Sequence, residues 1–427
     1  GYLFGEDTGM AQPFYAVGYP ITEAYWAEVR VGGTTKWVLI QCFERRCLTY
    51  TPDNSAGWQV EAGNVGQHYY RWLQEHDDTP PFDELADDLL QARGLARSAN
   101  GVVYIAEAGT GGDNCIEVGE GEDPSEACVG FTGRISLWMD GVHTVIADDL
   151  PSILTPIGDI SGPQDVFATA EGDIFAIIGL GGPPEMRALF PDDEGLHLGW
   201  IVQVHDDGSW TPIADVSAYE GTENPDGGPI DSNPYSLVVV EDGFVVSDAG
   251  GNALLWVSAD GMMIETLAVF ETRMAPAPPF LGLPDGTMIP MEAVPTGVVE
   301  GSDGAYYVGE LTGFPFQQGA ARVWRVEADG TATVYAEGFT NIIDVAFDDD
   351  GDLLVLEIVA ASLLGAEQDP RGRLIHVDKD TMEHTVLLHD GLVFPAGVAV
   401  GAGNTIYMTN FAVMPNAQLI VFESPLP

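Results

Sequence analysis

The stretch Leu237–Gly250 has the sequence LVVVEDGFVVSDAG, two short apolar runs separated by an acidic turn that contains Gly243. Apolar runs on either side of a glycine turn are typical of a β-hairpin, because glycine readily adopts the positive φ that a tight turn needs. Five other stretches of the chain have the same form. They are Leu95–Gly109, Val166–Gly179, Val298–Glu310, Val345–Glu357 and Val398–Asn410.

The spacing of these hairpins indicates a repeated unit. The turn glycines follow one another at intervals of 71, 71, 61, 47 and 52 residues. Each of the first five hairpins is followed by a second one, for example Arg322–Ala336 (RVWRVEADGTATVYA). Two hairpins form a four-stranded meander, and radial arrays of such meanders are β-propellers. We therefore predict an all-β fold that contains a six-bladed β-propeller.

The last repeat lacks a fourth strand, since it ends with the strand-like segment Gln418–Glu423. The segment at about residues 82–88 precedes the first repeat and has no inner strand of its own. We predict that it pairs with the last blade and closes the ring, which removes free sheet edges. The predicted organisation is an N-terminal module at residues 1–76, a Pro-containing linker at 77–81 and the propeller at 82–427.

The charge of the chain excludes several classes of partner. The 427 residues include 66 Asp and Glu but only 15 Lys and Arg, so the formal net charge is −51. Such a chain cannot neutralise phosphates, which argues against nucleic-acid binding and against attraction to an anionic membrane. No apolar run is long enough to span a bilayer, so no membrane insertion is expected. A strongly negative field favours cations and basic partners instead.

Four cysteines form two close pairs, Cys42 with Cys47 and Cys115 with Cys128. A disulfide between Cys115 and Cys128 would restrain the Gly- and Glu-rich segment between them, and it would indicate an oxidising, extracytoplasmic setting. A zinc site is the alternative, although no CxxC or spaced His pair supports it. A Cys42–Cys47 disulfide is also expected but stays open, because both residues can lie along one strand and face opposite sides. We expect an extracellular or cell-surface location, with a signal peptide already removed.

Polar residues recur where inner strands begin and second strands end, and both positions lie on the same rim of a propeller. The candidate ligands of a metal ion at this mouth are Glu107, Asn233, Asp248, Glu310 and Asp344. Their oxygen atoms suit a hard cation such as Ca²⁺. The alternative is that these side chains cap turns and satisfy loop backbones. The stretch Phe347–Leu354 superficially resembles a calcium loop but fits a hairpin turn, since the final Glu of an EF-hand loop is missing.

Several ordered motifs closely resemble the ScyD/ScyE family. They are Ala106–Cys115, Gly130–Ile135, Leu150–Ser152, Asn224–Gly227, Asp231–Tyr235, Ser247–Asn252, Val308–Phe316 and Gly338–Phe347. The resemblance covers residues 80–427 and implies a six-bladed propeller related to NHL repeats. Members are associated with gene clusters for scytonemin, a cyanobacterial sunscreen pigment. The family offers no established catalytic activity that can be carried over to residues of this chain.

The first 79 residues are similar to a small module of secreted bacterial proteins, through Val17–Trp26, Gln41–Pro52 and Trp58–Trp72. They also distantly resemble LGFP repeats, which occur in proteins associated with the cell wall. This likeness implies a surface location and contact with the envelope or a glycan.

Catalytic motifs are scarce, because the sequence has no GxSxG, HExxH or P-loop. The favoured hypothesis is a non-catalytic extracellular scaffold whose N-terminal module attaches to another copy, as a homo-oligomer or a filament. The assembly candidates are Tyr2, Leu3, Phe4, Phe14 and Tyr15. The alternative is a Ca²⁺-dependent lactonase or esterase with Glu107 or Asp248 as the base. A further alternative is a binder of small aromatic ligands, with Tyr235, Phe314, Phe316 and Phe339 near the mouth.

Overall fold

The computed structural model describes residues 25–31, 34–42, 47–52, 60–62, 80–118, 125–156, 158–191 and 195–424. The chain divides into two units, Gly1–Pro80 and Pro81–Pro427. The N-terminal unit contains an antiparallel sheet with the strands in sequence order. These strands are β1 (Tyr25–Val31), β2 (Thr34–Cys42), β3 (Cys47–Tyr50) and β4 (Val60–Ala62).

Pro81–Pro427 forms the predicted six-bladed β-propeller, and each blade is an antiparallel meander. Blade 1 consists of β6 (Ala92–Arg97), β7 (Val103–Glu107), β9 (Ser125–Met139) and β10 (Val142–Leu154), extended by β8 (Asn114–Val118) and β11 (Ile160–Ser161). Blade 2 consists of β12 (Pro163–Ala168), β13 (Ile174–Ile178), β14 (Trp200–Val204) and β15 (Trp210–Asp215). Blade 3 consists of β16 (Pro234–Val240), β17 (Gly243–Asp248), β18 (Ala253–Ser258) and β19 (Ile264–Val269).

The remaining blades follow the same order from the axis outward. Blade 4 consists of β22 (Pro295–Glu300), β23 (Tyr306–Glu310), β24 (Ala321–Val326) and β25 (Ala332–Phe339). Blade 5 consists of β26 (Ile342–Phe347), β27 (Leu353–Glu357), β28 (Arg373–Val377) and β29 (His384–Leu388). Blade 6 consists of β30 (Val398–Val400), β31 (Thr405–Asn410) and β32 (Ala417–Glu423), completed by β5 (Asp83–Leu89).

The ring is closed by β5, the segment from which closure was expected. It pairs antiparallel with β32, and Leu89 lies opposite Ala417. Leu89, Ala417 and Leu419 are fully buried in the apolar cluster that joins blade 6 to blade 1. The first and last strands of the propeller are therefore held together by a sheet and by a core.

A few elements lie outside the meanders. A two-stranded hairpin between blades 3 and 4 consists of β20 (Arg273–Pro276) and β21 (Met288–Met291). Helix α1 (Val216–Glu223) connects blades 2 and 3. The 3-10 helices are Pro184–Leu189, Pro279–Leu281, Leu363–Gly365 and Ala402–Asn404. Among the described residues, no helix is both long enough and apolar enough to cross a bilayer.

The described core consists of apolar clusters that each fill the space between two neighbouring blades. Ile135 of blade 1 packs with Val166 and Val202 of blade 2, for example, and Ile343 of blade 5 packs with Val398 of blade 6. This arrangement explains the apolar runs on both sides of each turn glycine, since the strands of a blade are buried on both faces.

The predicted disulfide between Cys115 and Cys128 is confirmed, and the two residues lie opposite one another on β8 and β9. Cys42 and Cys47 lie opposite one another on the separate strands β2 and β3. The idea that both lie along one strand is therefore wrong, because the chain reverses between them. Their side chains lie outside the described part of the structure, so the second disulfide stays a prediction.

Candidate functional site

The second strands of five blades end in a buried polar side chain at the same rim. These residues are Glu107, Asp248, Glu310, Glu357 and Asn410, and each is at most 1% exposed. In four blades the side chain accepts a hydrogen bond from a backbone amide of the segment that leads into the inner strand. The donors are the amides of Leu90, Asn233, Thr340 and Val393, each 2.7 Å from its acceptor. The repeated polar residue therefore fixes the entry into these four blades.

Three of these carboxylates pair with arginines, and for Glu107 and Glu357 the arginine lies in the same blade. Glu107 accepts from Arg134 Nε at 2.8 Å and from Ser136 Oγ at 2.5 Å. Glu357 accepts from Arg373 Nε at 2.7 Å. Burial raises the pKa of Glu107, but the nearby His143 and the hydrogen bonds from Arg134, Ser136 and the Leu90 amide outweigh it, so the pKa lies below its usual range. A carboxylate in this state is a weak base.

Glu310 is held in the same way at the edge of blade 4. It accepts from Trp324 Nε1 at 2.6 Å and pairs with Arg273 of the inserted hairpin. Burial raises the pKa of Glu310 despite the nearby arginine charge. The side chain is fully buried and contacts β24 and the inserted hairpin.

Asn233 and Asp248 lie together at the start of blade 3. Asp248 Oδ1 accepts from the amides of Asn233, Gly250 and Gly251, and Oδ2 accepts from Ser232 Oγ at 2.7 Å. Asn233 Oδ1 accepts from the amide of Leu180 at 3.2 Å, which links blade 3 to blade 2. Burial raises the pKa of Asp248 to about 6. Both side chains satisfy loop backbones, as the alternative interpretation of the rim predicted.

The five predicted metal ligands are thus distributed over four blades, and the structure does not gather them around one point. Glu107 pairs with Arg134 of its own blade, and Glu310 pairs with Arg273 of the inserted hairpin. Asp344 lies further along the channel, on the inner strand β26. That these residues bind a metal ion stays a prediction.

The inner strands place two aspartates at the channel wall on opposite sides of the ring. Asp165 of blade 2 and Asp344 of blade 5 occupy equivalent positions, where the other four blades have Gly94, Ser236, Gly297 and Gly397. Aligning the six inner strands would have identified Asp165, which the predicted ligand set omits.

Each of these aspartates connects its blade to the next one. Asp165 Oδ2 accepts from Ser236 Oγ at 2.6 Å and from the amide of Leu237 at 3.3 Å. Asp344 Oδ2 accepts from the amide of Val398 at 2.8 Å. The pair therefore supports the ring as well as lining the channel.

The channel aspartates are unusually hard to ionise. Burial raises the pKa of Asp165 to about 7. Burial also raises the pKa of Asp344 well above its usual range, and the negative charge of Asp165 adds to the effect. Half-buried Tyr235 is close enough to be influenced by both carboxylates and by Arg93, and burial raises its pKa. Raised carboxyl pKa values in a channel are a recognised mark of a functional site, and structural networks produce them too.

At the opposite rim, the turn between β26 and β27 gathers Asp348, Asp352 and His376, whose ligand atoms lie within 4.8 Å of one another. Asp348 Oδ1 accepts from the amides of Asp350 and Asp352, so the prediction of a hairpin turn in Phe347–Leu354 is confirmed. Lys379 Nζ lies 3.0 Å from Asp352 Oδ1 and supplies a positive charge to this group.

The aromatic side chains predicted near the mouth have separate environments. Phe339 is fully buried and stacks on His384 with ring centroids 4.5 Å apart. Phe314 is exposed at the rim, and Phe316 lies beside it with centroids 6.2 Å apart. The assembly candidates Tyr2, Leu3, Phe4, Phe14 and Tyr15 lie outside the described residues.

The fold and its rim define the protein as a six-bladed β-propeller preceded by a separate N-terminal β-sheet unit. No protein-family model and no curated protein matches the sequence. Among solved structures, the chain is similar to a gluconolactonase from Xanthomonas campestris, with 12% identity and a TM-score of 0.46 over 79% of this chain and 88% of that one.

Two further structures are similar to a comparable extent. A putative gluconolactonase has 12% identity and a TM-score of 0.45, with 81% of this chain and 92% of that one covered. A catalytically inactive virginiamycin B lyase from Staphylococcus aureus has 15% identity and a TM-score of 0.41, with 80% and 98% covered. At these identities the likeness concerns the fold alone.

Proposed function

We propose that the protein is a non-catalytic extracellular scaffold that associates with copies of itself through its N-terminal unit. The observation that carries this proposal is an exposed apolar surface on the inserted hairpin of the propeller, named here the aromatic patch. Its exposed members are Met274, Phe280, Leu281, Leu283, Met288 and Phe314.

Two exposed aromatic rings of the patch lie beside one another. Phe280 is 67% exposed, and its ring centroid lies 6.3 Å from that of Phe314, which in turn lies 6.2 Å from that of Phe316. Soluble proteins rarely leave contiguous apolar surface in water, and such patches mark sites of interaction. A hairpin of only two strands also leaves sheet edges to which another strand can add.

The charge distribution favours this patch as the point of contact. Residues 273–291 include one basic residue, Arg273, and one acidic residue, Asp285, in a chain of net charge −51. Copies of so acidic a protein repel one another. An uncharged apolar surface is where a second copy meets the least repulsion and gains the most from burial.

The N-terminal unit has the properties of a partner for this patch. Residues 1–80 hold 5 of the 15 Lys and Arg but only 10 of the 66 Asp and Glu. Trp26 is 51% exposed and Trp37 is 60% exposed. Trp26 pairs with Leu39 and Glu28 pairs with Trp37, so both tryptophans are on the same face of the sheet. The assembly candidates Tyr2, Leu3, Phe4, Phe14 and Tyr15 belong to the same unit and add to its apolar residues. Contact between unlike surfaces is head-to-tail, and it builds a filament when the rotation does not close.

The test combines a truncation with substitutions in the patch. We expect the wild-type chain to associate with rising concentration, as measured by light scattering and electron microscopy. Removal of residues 1–15, or Phe280→Ser with Phe314→Ser, is expected to weaken association at least about tenfold, since a loss of about 1.4 kcal/mol has that effect.

The matched control is Met262→Ser with Met263→Ser, two exposed apolar residues in the turn between β18 and β19, outside the patch. This variant should associate like the wild type. A wild-type chain that stays monomeric at high concentration would overturn the proposal, and so would unchanged association of the truncated chain.

The disulfide in blade 1 is consistent with an oxidising, extracellular location. The resemblance of residues 80–427 to the ScyD/ScyE propellers, and of the first 79 residues to surface modules, supports the same setting. Contact of the N-terminal unit with a cell-envelope glycan belongs to this proposal. Sedimentation of residues 1–80 with purified cell walls would test that contact.

A second candidate function is hydrolysis of a lactone or ester in the channel, or binding of a small aromatic ligand there. The observation that favours it is the pair of channel carboxyls, since the pKa of Asp165 is raised to about 7 and that of Asp344 is also raised. Such groups suit general acid or base catalysis near neutral pH. A bound Ca²⁺ would supply Lewis-acid polarisation of a carbonyl.

Hydrolysis of aryl esters and lactones in the presence of Ca²⁺ would test this candidate. Asp165→Asn and Asp344→Asn should each abolish turnover, whereas Asp349→Asn in the exposed turn should not change it. Absence of turnover in the wild type, together with no binding of phenols or indoles, would remove the candidate.

A further inference from the structure

The segment that joins blade 2 to blade 3 places several acidic and amide side chains near the C-terminal end of helix α1. Helix α1 ends at Glu223 and is capped by Asn224, which has φ 43° and ψ 66° and donates its amide to the Glu220 carbonyl. The C-terminal end of a helix carries a partial negative charge. Glu220, Asn224, Asp226, Asp231 and Asp248 lie at or near this end, and we name them the α1 acidic pocket.

Glu220 is the unusual member of the pocket. Its side chain is only 2% exposed, and Oε1 has no hydrogen-bond partner among the described residues. Asn224 Oδ1 is also buried and without a hydrogen-bond partner there, while Nδ2 donates to the Gly228 carbonyl at 2.9 Å. Asn224 directly follows the helix, and its backbone amide donates to the Glu220 carbonyl, so both residues belong to the helix end. A buried acceptor without a donor is costly, so these two oxygens point to a missing positive partner.

Gly251 lies beside both the Glu220 and the Asp248 carboxylates. A Cβ atom at Gly251 would lie 2.8 Å from Glu220 Oε2 and 3.4 Å from Asp248 Cγ. Asp248 Oδ2 accepts one hydrogen bond, from Ser232 Oγ. Asp226 closes the other side, with Oδ2 accepting from Asn252 Nδ2 at 2.9 Å. The pocket is therefore framed by a buried carboxylate, an amide oxygen and two further carboxylates.

Among the described residues that act on Glu220, no basic side chain balances the negative charge. Burial raises the pKa of Glu220 to about 7, and the negative charges of Asp248, Asp226 and Asp231 act in the same direction. The groups acting on Glu220 include no arginine, lysine or histidine among the described residues. Carboxylates in such a setting need either protons or a bound cation.

We propose that the α1 acidic pocket binds one Ca²⁺ ion, with Glu220 Oε1 and Asn224 Oδ1 as protein ligands and Asp226 and Asp248 supplying further charge. The donors are oxygen atoms, which hard cations prefer. The flexible ligand shell of Ca²⁺ tolerates an irregular set of oxygen ligands better than the compact octahedron of Mg²⁺ does. The bound ion would fix the connection between two blades beside the rim, a role that the scaffold function does not require.

The test uses the full chain freed of divalent ions with EDTA, and CaCl₂ as the probe. Calorimetric titration should show one site per chain, and the melting temperature should rise with Ca²⁺ but much less with Mg²⁺. Glu220→Gln keeps the shape of the side chain and is expected to weaken Ca²⁺ binding at least about tenfold. Glu223→Gln, on the exposed side of the same helix, is the matched control and should bind like the wild type.

Circular dichroism and the melting temperature in EDTA show whether Glu220→Gln is folded, and Asn224→Ala provides a second variant if it is not. A wild-type chain that binds no Ca²⁺ would overturn the proposal and would indicate that Glu220 simply holds a proton. Binding that survives in Glu220→Gln and Asn224→Ala but is lost in Asp352→Asn would also overturn it, because the ion would then bind at the opposite rim.

Discussion

At the scale of single residues, the channel is shaped by which blades have glycine and which have aspartate. A Cβ atom at Gly94 would lie 2.1 Å from Asp165 Oδ1, and one at Gly297 would lie 2.3 Å from Asp344 Oδ1. Each aspartate therefore occupies space that the glycine of the preceding blade leaves empty. Glycine is needed at these positions because the aspartate of the next blade approaches closely, and not because a turn requires it.

Gly94→Ala is accordingly expected to destabilise the propeller by about 1–3 kcal/mol, the usual penalty for forcing extra atoms into a packed site. The clash includes the Asp165 Cα atom at 2.9 Å, so a change of side-chain rotamer cannot remove it. Urea unfolding would measure the effect. Gly365→Ala, whose nearest neighbour would be the Ala361 Cβ atom at 3.5 Å, is the control and should be nearly neutral. Equal unfolding midpoints for the two variants would contradict the prediction.

The raised pKa of Asp165 predicts a pH dependence of stability. The carboxyl has a pKa of about 7 in the folded chain against an ordinary value of 3.8, so the folded state holds the proton more tightly. The stabilisation is complete below the unfolded pKa and is lost as the pH rises through about 7. Unfolding midpoints measured between about pH 4 and pH 8 should therefore fall less steeply in Asp165→Asn than in the wild type. Asp349→Asn should keep the wild-type slope, and an unchanged slope in Asp165→Asn would refute this explanation.

At the scale of elements, the ion pair of Glu357 with Arg373 connects the second and third strands of blade 5. Arg373→Met would leave the fully buried Glu357 without its charge partner. We expect a loss of about 3 kcal/mol, which is typical when one partner of a buried pair is removed. Adding Glu357→Gln should recover part of the loss.

Arg371→Met is the control for this ion pair, because the pair of Arg371 with Asp369 is partly exposed and should contribute less than about 1 kcal/mol. Thermal unfolding of the three variants would compare the two pairs. A larger effect at Arg371 than at Arg373 would show that burial does not determine the importance of these pairs.

Ring closure by β5 predicts a sharp difference between two truncations. Removing residues 1–80 leaves β5 in place, and the propeller should keep its melting temperature. Removing residues 1–89 exposes the edge of β32 and the cluster around Leu89, so the chain should melt earlier and aggregate. Light scattering during heating would distinguish the two. Equal behaviour of both truncated chains would mean that β5 does not close the ring.

At the scale of the whole molecule, the net charge of −51 opposes any contact between copies. Screening lengths fall from about 10 Å at 0.1 M salt to about 3 Å at 1 M. Raising NaCl from about 0.05 M to about 0.5 M should therefore strengthen self-association through the aromatic patch. Phe280→Ser with Phe314→Ser should stay monomeric at both concentrations. Association that weakens with salt would indicate an interface made of ion pairs instead.

Much of the architecture follows from the sequence alone. Alternating apolar runs and turn glycines are local signals, so they predicted the hairpins, the number of blades and the close pair Cys115–Cys128. The segment before the first repeat was recognisable as a strand that has no inner strand of its own. This segment is β5 in the structure. These features depend on neighbours along the chain, and a single sequence contains that information.

The partners of the rim carboxylates were decided only by the tertiary structure. The sequence places Glu107 and Glu310 at strand ends, but it does not show that they pair with Arg134 of the next strand and with Arg273 of the inserted hairpin. Likewise, Asp165 and Asp344 are 179 positions apart in the chain and influence one another only because blades 2 and 5 lie across the ring. Electrostatic contacts depend on distance in space. Closure of the ring sets that distance, and local sequence patterns do not contain it.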